Sequence, residues 1–178
     1  MPPSFLARSF AYLLDCCCVF ALFVATQLLM FAPLRSAIGM DAEWFRSGTN
    51  TQLYTIATIS IPVWLYFALL DCSRWQGTIG KRLMALQVAN FDTNSRVGFP
   101  RSLVRSVVKL LPWELAHVGN NLPTPVWYAE EPHFRIAFVF SSLLLTAYIF
   151  SMYTNPSRRC IHDMVAGTRV TRRRSTVG

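Results

Sequence analysis

The sequence predicts an all-α membrane protein: a bundle of four transmembrane or partly re-entrant helices with a small cytoplasmic β-ribbon. Three observations predict it. Apolar runs of about 20 residues recur along the chain, each long enough to cross about 30 Å of hydrocarbon. Hydrophobic residues make up 53% of the 178 and the mean hydropathy is positive, which fits an integral membrane protein folded as one domain over 1–178. Two segments with β character flank the charged regions, at 85–91 and 167–171.

Charge sets the orientation. Arg74, Lys81, Arg82, Arg96, Arg101, Arg105 and Lys109 face one acid, Asp92, in the segment between Asp71 and Lys109. Arg158, Arg159, Arg169, Arg172, Arg173 and Arg174 face only Asp163 after Thr154. The 33–51 connection is balanced, and 119–134 carries Glu130 and Glu131 without Lys or Arg. The positive-inside rule therefore places the 72–100 loop, the 155–178 tail and both termini in the cytoplasm of a plasma membrane, such as a bacterial inner membrane. The same rule explains the net charge of +8 without nucleic acid as a partner.

The first helix covers about residues 5–32. Ser4 is placed to cap it, and Pro33 and Gly39 are expected to end it. It is too long for a signal-peptide core, and no Ala-x-Ala-like site follows. Asp15 is the sole carboxylate between Ser9 and Leu34. A charge there costs on the order of 3 kcal/mol, so ion binding or proton relay is its default reading. The competing reading is a structural anchor tied to Arg82, Arg101 or Arg105. Arg8 shares the helix face but lies about 10 Å away along the axis, so Asp15 needs a further partner. Cys16, Cys17 and Cys18 read as packing residues, and Cys72 and Cys160 as reduced thiols, not a disulfide framework.

The second helix covers about 52–70 and contains Pro62, which is expected to kink it. Asp71 at its end opposes the helix dipole and calls for a basic partner such as Arg74 or Lys81. The following Gly77-Thr78-Ile79-Gly80-Lys81-Arg82-Leu83 lacks the phosphate-loop spacing and leading strand. Its glycines fit a tight re-entry, from which Lys81 and Arg82 would snorkel. The strands at 85–91 and 167–171 would then pair as a ribbon.

The third helix, about 101–118, admits more than one placement. Arg101, Arg105 and Lys109 form an i, i+4 stripe, which alone reads as a basic amphipathic surface helix. The fourth helix, about 135–154, holds no charge from Ile136 to Tyr153 and should span and end in the cytoplasm, so the third segment should itself span or re-enter, kinked at Pro112. That brings Glu114 and His117 together as i, i+3 neighbours, either a proton relay or an interfacial polar pair beside Trp113.

Arg8 with Asp15, the Gly77–Leu83 block, and His162-Asp163-Met164-Val165-Ala166-Gly167-Thr168-Arg169-Val170 occur in the order of the RDD family, which the chain resembles from Arg8 to Val170. The family is named for one arginine and two aspartates. Arg8 and Asp15 match the arginine and first aspartate, and the second is Asp163 or Asp71. The resemblance implies a membrane location and proposed transport roles. One member is reported as a sodium–proton antiporter, and others are partners within membrane assemblies.

Function then has two readings. In the first, the protein exchanges small ions or solutes, with Asp15 binding a proton or cation and Arg8 tuning it. A relay or buried polar network would comprise Arg8, Asp15, Asp71, Glu114 and His117. In the second, it is a non-transporting scaffold for other membrane proteins, a homo-oligomer or anionic lipids. Headgroups would meet Arg158, Arg159, Arg172, Arg173 and Arg174. Gly77, Gly80, Lys81, Arg82, Arg105, His162 and Asp163 form a cytoplasmic belt in either reading. His162-Asp163 alone does not specify a metal centre, and no enzymatic, cofactor or metal motif is expected.

Overall fold

The computed structural model describes residues 3–131 and 134–173. Most of these are helical, and three helices are long and apolar enough to cross a membrane: Phe5–Ala37, Gly48–Cys72 and Ile136–Thr154. They correspond to the first, second and fourth expected helices. The third is a continuous 23-residue helix, Phe99–Asn121. Arg101, Arg105, Lys109 and Glu114 keep it out of the apolar class, so three spans are defined by length and composition, where the sequence reading had four.

The first span begins as α1 (Phe5–Thr26), widens into a π turn at Gln27–Phe31 and continues as α2 (Ala32–Ala37). Pro33 does not end it. The second span repeats the device: α3 (Gly48–Thr55), a π turn at Ile56–Ser60, then α4 (Ile61–Cys72) with Pro62. Proline has no N–H, and its ring crowds the carbonyl four residues back. In both spans the residue before proline bonds five residues back, Ala32 N–H to the Gln27 carbonyl and Ile61 N–H to the Ile56 carbonyl. The wider turn gives the ring room.

The remaining elements are α5 (Ile79–Leu83), β1 (Leu86–Asn90), α6 (Phe99–Asn121), α7 (Ile136–Thr154), α8 (Ile161–Val165) and β2 (Thr168–Arg172). The strands pair antiparallel, as expected, with Val88 opposite Val170 and Asn90 opposite Thr168. Leu86 and Val170 bury against Ala11 of α1, so the ribbon is packed on the first helix. Gly167, at φ +61°, supplies the left-handed residue that ends α8 and starts β2.

The chain divides into two compact units. One comprises the segments up to Val19, Trp64–Lys109 and from Thr146 onward, and holds the ribbon. The other comprises Phe20–Val63 and Leu110–Leu145. Within α6, Pro112 leaves the Val108 carbonyl without its usual helical donor. The Tyr148 hydroxyl donates to it instead. Arg135 donates to the Gly119, Leu122 and Thr124 carbonyls at 3.0, 2.9 and 2.7 Å, placing a cation where the α6 dipole is negative.

Candidate functional site

The first polar centre surrounds Asp15, which is fully buried. Its Oδ1 accepts the Tyr66 hydroxyl at 3.0 Å and the Gly80 N–H at 2.8 Å, and its Oδ2 accepts the Thr78 hydroxyl at 2.5 Å. The partners come from α4 and from the Gly77–Leu83 block. Thr78 is extended and Ile79 starts α5, which leaves the Gly80 amide in the first turn free to donate outward. Gly80 must be glycine here. A Cβ would sit 2.0 Å from the Ala11 carbonyl oxygen.

The expected charged partners of Asp15 are elsewhere. Arg8 turns to the Arg158 carbonyl at 2.6 Å and to Asp163 Oδ2 at 3.3 Å. Among the described residues Asp15 forms no salt bridge, with Arg82, Arg101, Arg105 or any other cation. Its neutral donors meet the need that the sequence reading assigned to arginines.

The second centre is a buried lattice of charges. Lys81 Nζ spans both oxygens of Asp71 at 2.6 and 2.7 Å. Arg105 reaches Asp71 Oδ2 at 2.5 Å through one guanidinium nitrogen and Asp163 Oδ1 at 2.9 Å through Nε. Arg8 closes on the other Asp163 oxygen, and the Thr168 hydroxyl donates to Oδ1 at 3.2 Å. The two candidates for the second family aspartate thus belong to one network, bridged by Arg105. Charges out of water are tolerated only with this density of partners.

Several expectations are corrected by this geometry. Lys81 is 6% exposed and does not snorkel, because Asp71 holds it inside. Burial lowers its pKa, opposed by Asp71. Arg105 is 2% exposed, so the Arg101–Arg105–Lys109 stripe is not a solvated face. Lys109 lies over the Phe67 and Tyr12 rings, 3.6 and 4.4 Å from their centroids. Arg74 and Arg82 stack over Trp75, and Arg82 stays exposed. Gly77 packs against the Lys81 stem and the Leu86 carbonyl, which ties the block to β1.

Burial by itself would raise the Asp163 carboxyl; Arg105, then His162 and Arg8, outweigh it and hold the group far below the ordinary carboxylate range. His162, its Nε2 3.8 Å from Asp163, is pushed well below its usual value by burial, against the pull of Asp163 and with that of Arg105. Burial also raises the Cys160 thiol.

The remaining predicted residues fall outside both centres. Glu114 accepts the Ser60 hydroxyl at 2.7 Å, and His117 Nδ1 stands 3.7 Å from it. The pair belongs to the other unit, with Asn121 nearby in sequence donating to Gln52 and Thr55. Arg158, Arg172 and Arg173 are exposed. Arg159 is not free for a headgroup: it donates to the Thr168 and Asp163 carbonyls at 2.9 Å each and lies over Phe91. Arg174 lies outside the described residues. No group of three or more His, Cys, Asp or Glu is arranged for a metal among the described residues. Sequence reasoning missed Tyr66, Thr78 and Thr168; Thr78 and Thr168 sit inside the Gly77–Leu83 and His162–Val170 blocks, whereas Tyr66 is one aromatic in an apolar run.

Three helices long and apolar enough to cross a membrane, together with a buried lattice of arginine, lysine and aspartate, point to a membrane protein. The chain belongs to the RDD family, whose model matches residues 2–167. Searches among curated proteins and among solved structures gave no match to the chain.

Proposed function

We propose that the protein is a small, non-enzymatic transporter that exchanges protons or cations at Asp15. The observation that carries this reading is the asymmetry between the carboxylates. Asp71 and Asp163 are each saturated by cations. Asp15 is equally buried, yet among the described residues it forms no ion pair: two hydroxyls and one amide hydrogen-bond it, and Lys81 and Lys109 act on it only through space. A buried carboxylate with neutral partners exchanges charge at lower cost than one inside an ion-pair lattice. Tyr66 and Thr78 carry hydroxyls that both donate and accept, so they tolerate either protonation state. The test is cation-driven proton flux in proteoliposomes with a trapped pH dye. Flux in the wild type and its loss in a folded Asp15→Asn variant are expected; equal flux in both would refute the role.

A second reading rests on a different observation, the contact of Gly80 with the Ala11 carbonyl. It makes Asp15 a clamp that seats the 77–83 block on α1. The protein would then be an assembly module, with Arg158, Arg172 and Arg173 offered to anionic lipids or partner proteins. This reading expects no flux with any cation, and an Asp15→Asn protein that loosens without other change.

A further inference from the structure

The unit built from Phe20–Val63 and Leu110–Leu145 contains an open cavity of about 770 Å³ that neither reading uses. Its volume suits a small organic molecule. Both π turns reach its wall, through Gln27 and Ile59. Departures from the α-helix of this kind cluster at functional positions. Phe45, Tyr54 and Trp127 supply aromatic surface. Phe45 and Tyr54 are locked edge to face at 5.2 Å, so that surface is preformed.

The polar groups of the wall are unevenly satisfied. Arg35 lies over the Phe45 ring at 5.5 Å, and its guanidinium has no hydrogen-bond or salt-bridge partner among the described residues. The Tyr54 hydroxyl donates to Gln27 Oε1 at 2.6 Å, which fixes that amide. The Gln27 Nε2 is buried without an acceptor among the described residues. The wall therefore presents one cation without an ion-pair partner among the described residues, Arg35, while the buried Gln27 Nε2 is closed off from the cavity. The single acid, Asp41, already accepts the Trp44 N–H at 2.9 Å and disfavours a second negative charge on any guest. An acceptor with one negative charge and an apolar body complements this set.

We propose that this cavity binds a small monocarboxylate with an aromatic or alkyl body, its carboxylate on Arg35 and its body on the faces of Phe45, Tyr54 and Trp127. Binding here does not depend on transport through Asp15.

The test uses the full chain in nanodiscs, with empty nanodiscs as the partition control. Tryptophan fluorescence and calorimetry follow 3-phenylpropionate, indole-3-acetate and hexanoate, each beside its uncharged amide. The acids are expected to bind at least about 10-fold tighter than their amides. Arg35→Gln should abolish that preference, Arg35→Lys should keep part of it, and Arg101→Gln should leave it unchanged. Inorganic phosphate should not compete. If Arg35→Gln fails to fold, the acid-to-amide ratio in the wild type and in Arg35→Lys still decides. Equal binding of acid and amide, no binding of any probe, or competition by phosphate would each overturn the proposal.

Discussion

Gly80 rests directly on the main chain of Ala11 while its own N–H donates to the Asp15 carboxylate, one turn further along α1. The two contacts need each other. The amide reaches Asp15 only because nothing stands between the Gly80 α-carbon and the Ala11 carbonyl. Gly80→Ala would force a β-carbon to within 2.0 Å of that oxygen, a main-chain atom that cannot swing aside. The expected cost is about 3 kcal/mol or more, above the usual range for overpacking. Thermal unfolding in detergent measures it, and Gly77→Ala, where the nearest atom is the Lys81 β-carbon at 3.2 Å, should be milder.

Arg105 holds two carboxylates at once, so its removal takes one cation from each and leaves Asp71 to Lys81 alone and Asp163 to the longer contact with Arg8. Arg105→Met is expected to lower stability by about 3–5 kcal/mol. Arg105→Lys should rescue little, because one ammonium cannot reproduce the fork that meets Asp71 and Asp163 from different nitrogens. Adding Asp163→Asn to Arg105→Met should recover part of the loss. A double-mutant cycle of unfolding midpoints reads all three outcomes.

Acid should weaken the protein in two stages. His162 has a folded pKa below its unfolded value near 6.5, so below about pH 6.5 the unfolded chain takes up a proton that the folded one refuses. Stability therefore falls as pH drops from about 6.5, by at most about 1.4 kcal/mol per pH unit. His162→Phe, which keeps a ring against Tyr148, should flatten this stage. Asp163 is depressed, so its contribution is complete above about pH 4 and is lost only as pH falls below that. Unfolding midpoints from pH 7.5 to 3 for wild type and His162→Phe separate the two.

Tyr148 and Pro112 are coupled through a carbonyl that neither owns. Tyr148→Phe removes the donor to Val108 and should cost about 1–2 kcal/mol. In a Pro112→Ala background the new alanine's N–H supplies the missing helical bond, and the same substitution should cost clearly less. Equal penalties in both backgrounds would show that the hydroxyl does not replace the lost bond.

The sequence makes the helices, the ribbon and the polar residues at the centres legible, because apolar length, charge asymmetry and β-branched segments are local signals. Partner choice is less legible. Arg8 and Asp15 share a helix face but stand too far apart along it to pair, and the sequence does not say which distant segment serves each: Asp163 for one, the 77–83 block for the other. Periodicity places Arg105 on a stripe with Arg101 and Lys109 but cannot reveal that two acids distant in the chain face it. Pro33 looks like a stop because proline removes a bond in an α-turn, and a π turn escapes that rule. The cavity at Arg35 has no motif, since its wall is drawn from segments far apart in the chain.

Those π turns also govern which edits the spans can absorb. In an ordinary helix, deleting a residue swings everything beyond it by about 100° and slides it by about 1.5 Å, exchanging buried and lipid-facing sides. A π turn already holds one residue more than an α-turn. Removing one residue from Gln27–Phe31 or Ile56–Ser60, with the following proline replaced by alanine, therefore shortens the bulge and leaves the downstream face where it was. Each span carries a reserve of one residue, stored just ahead of its proline.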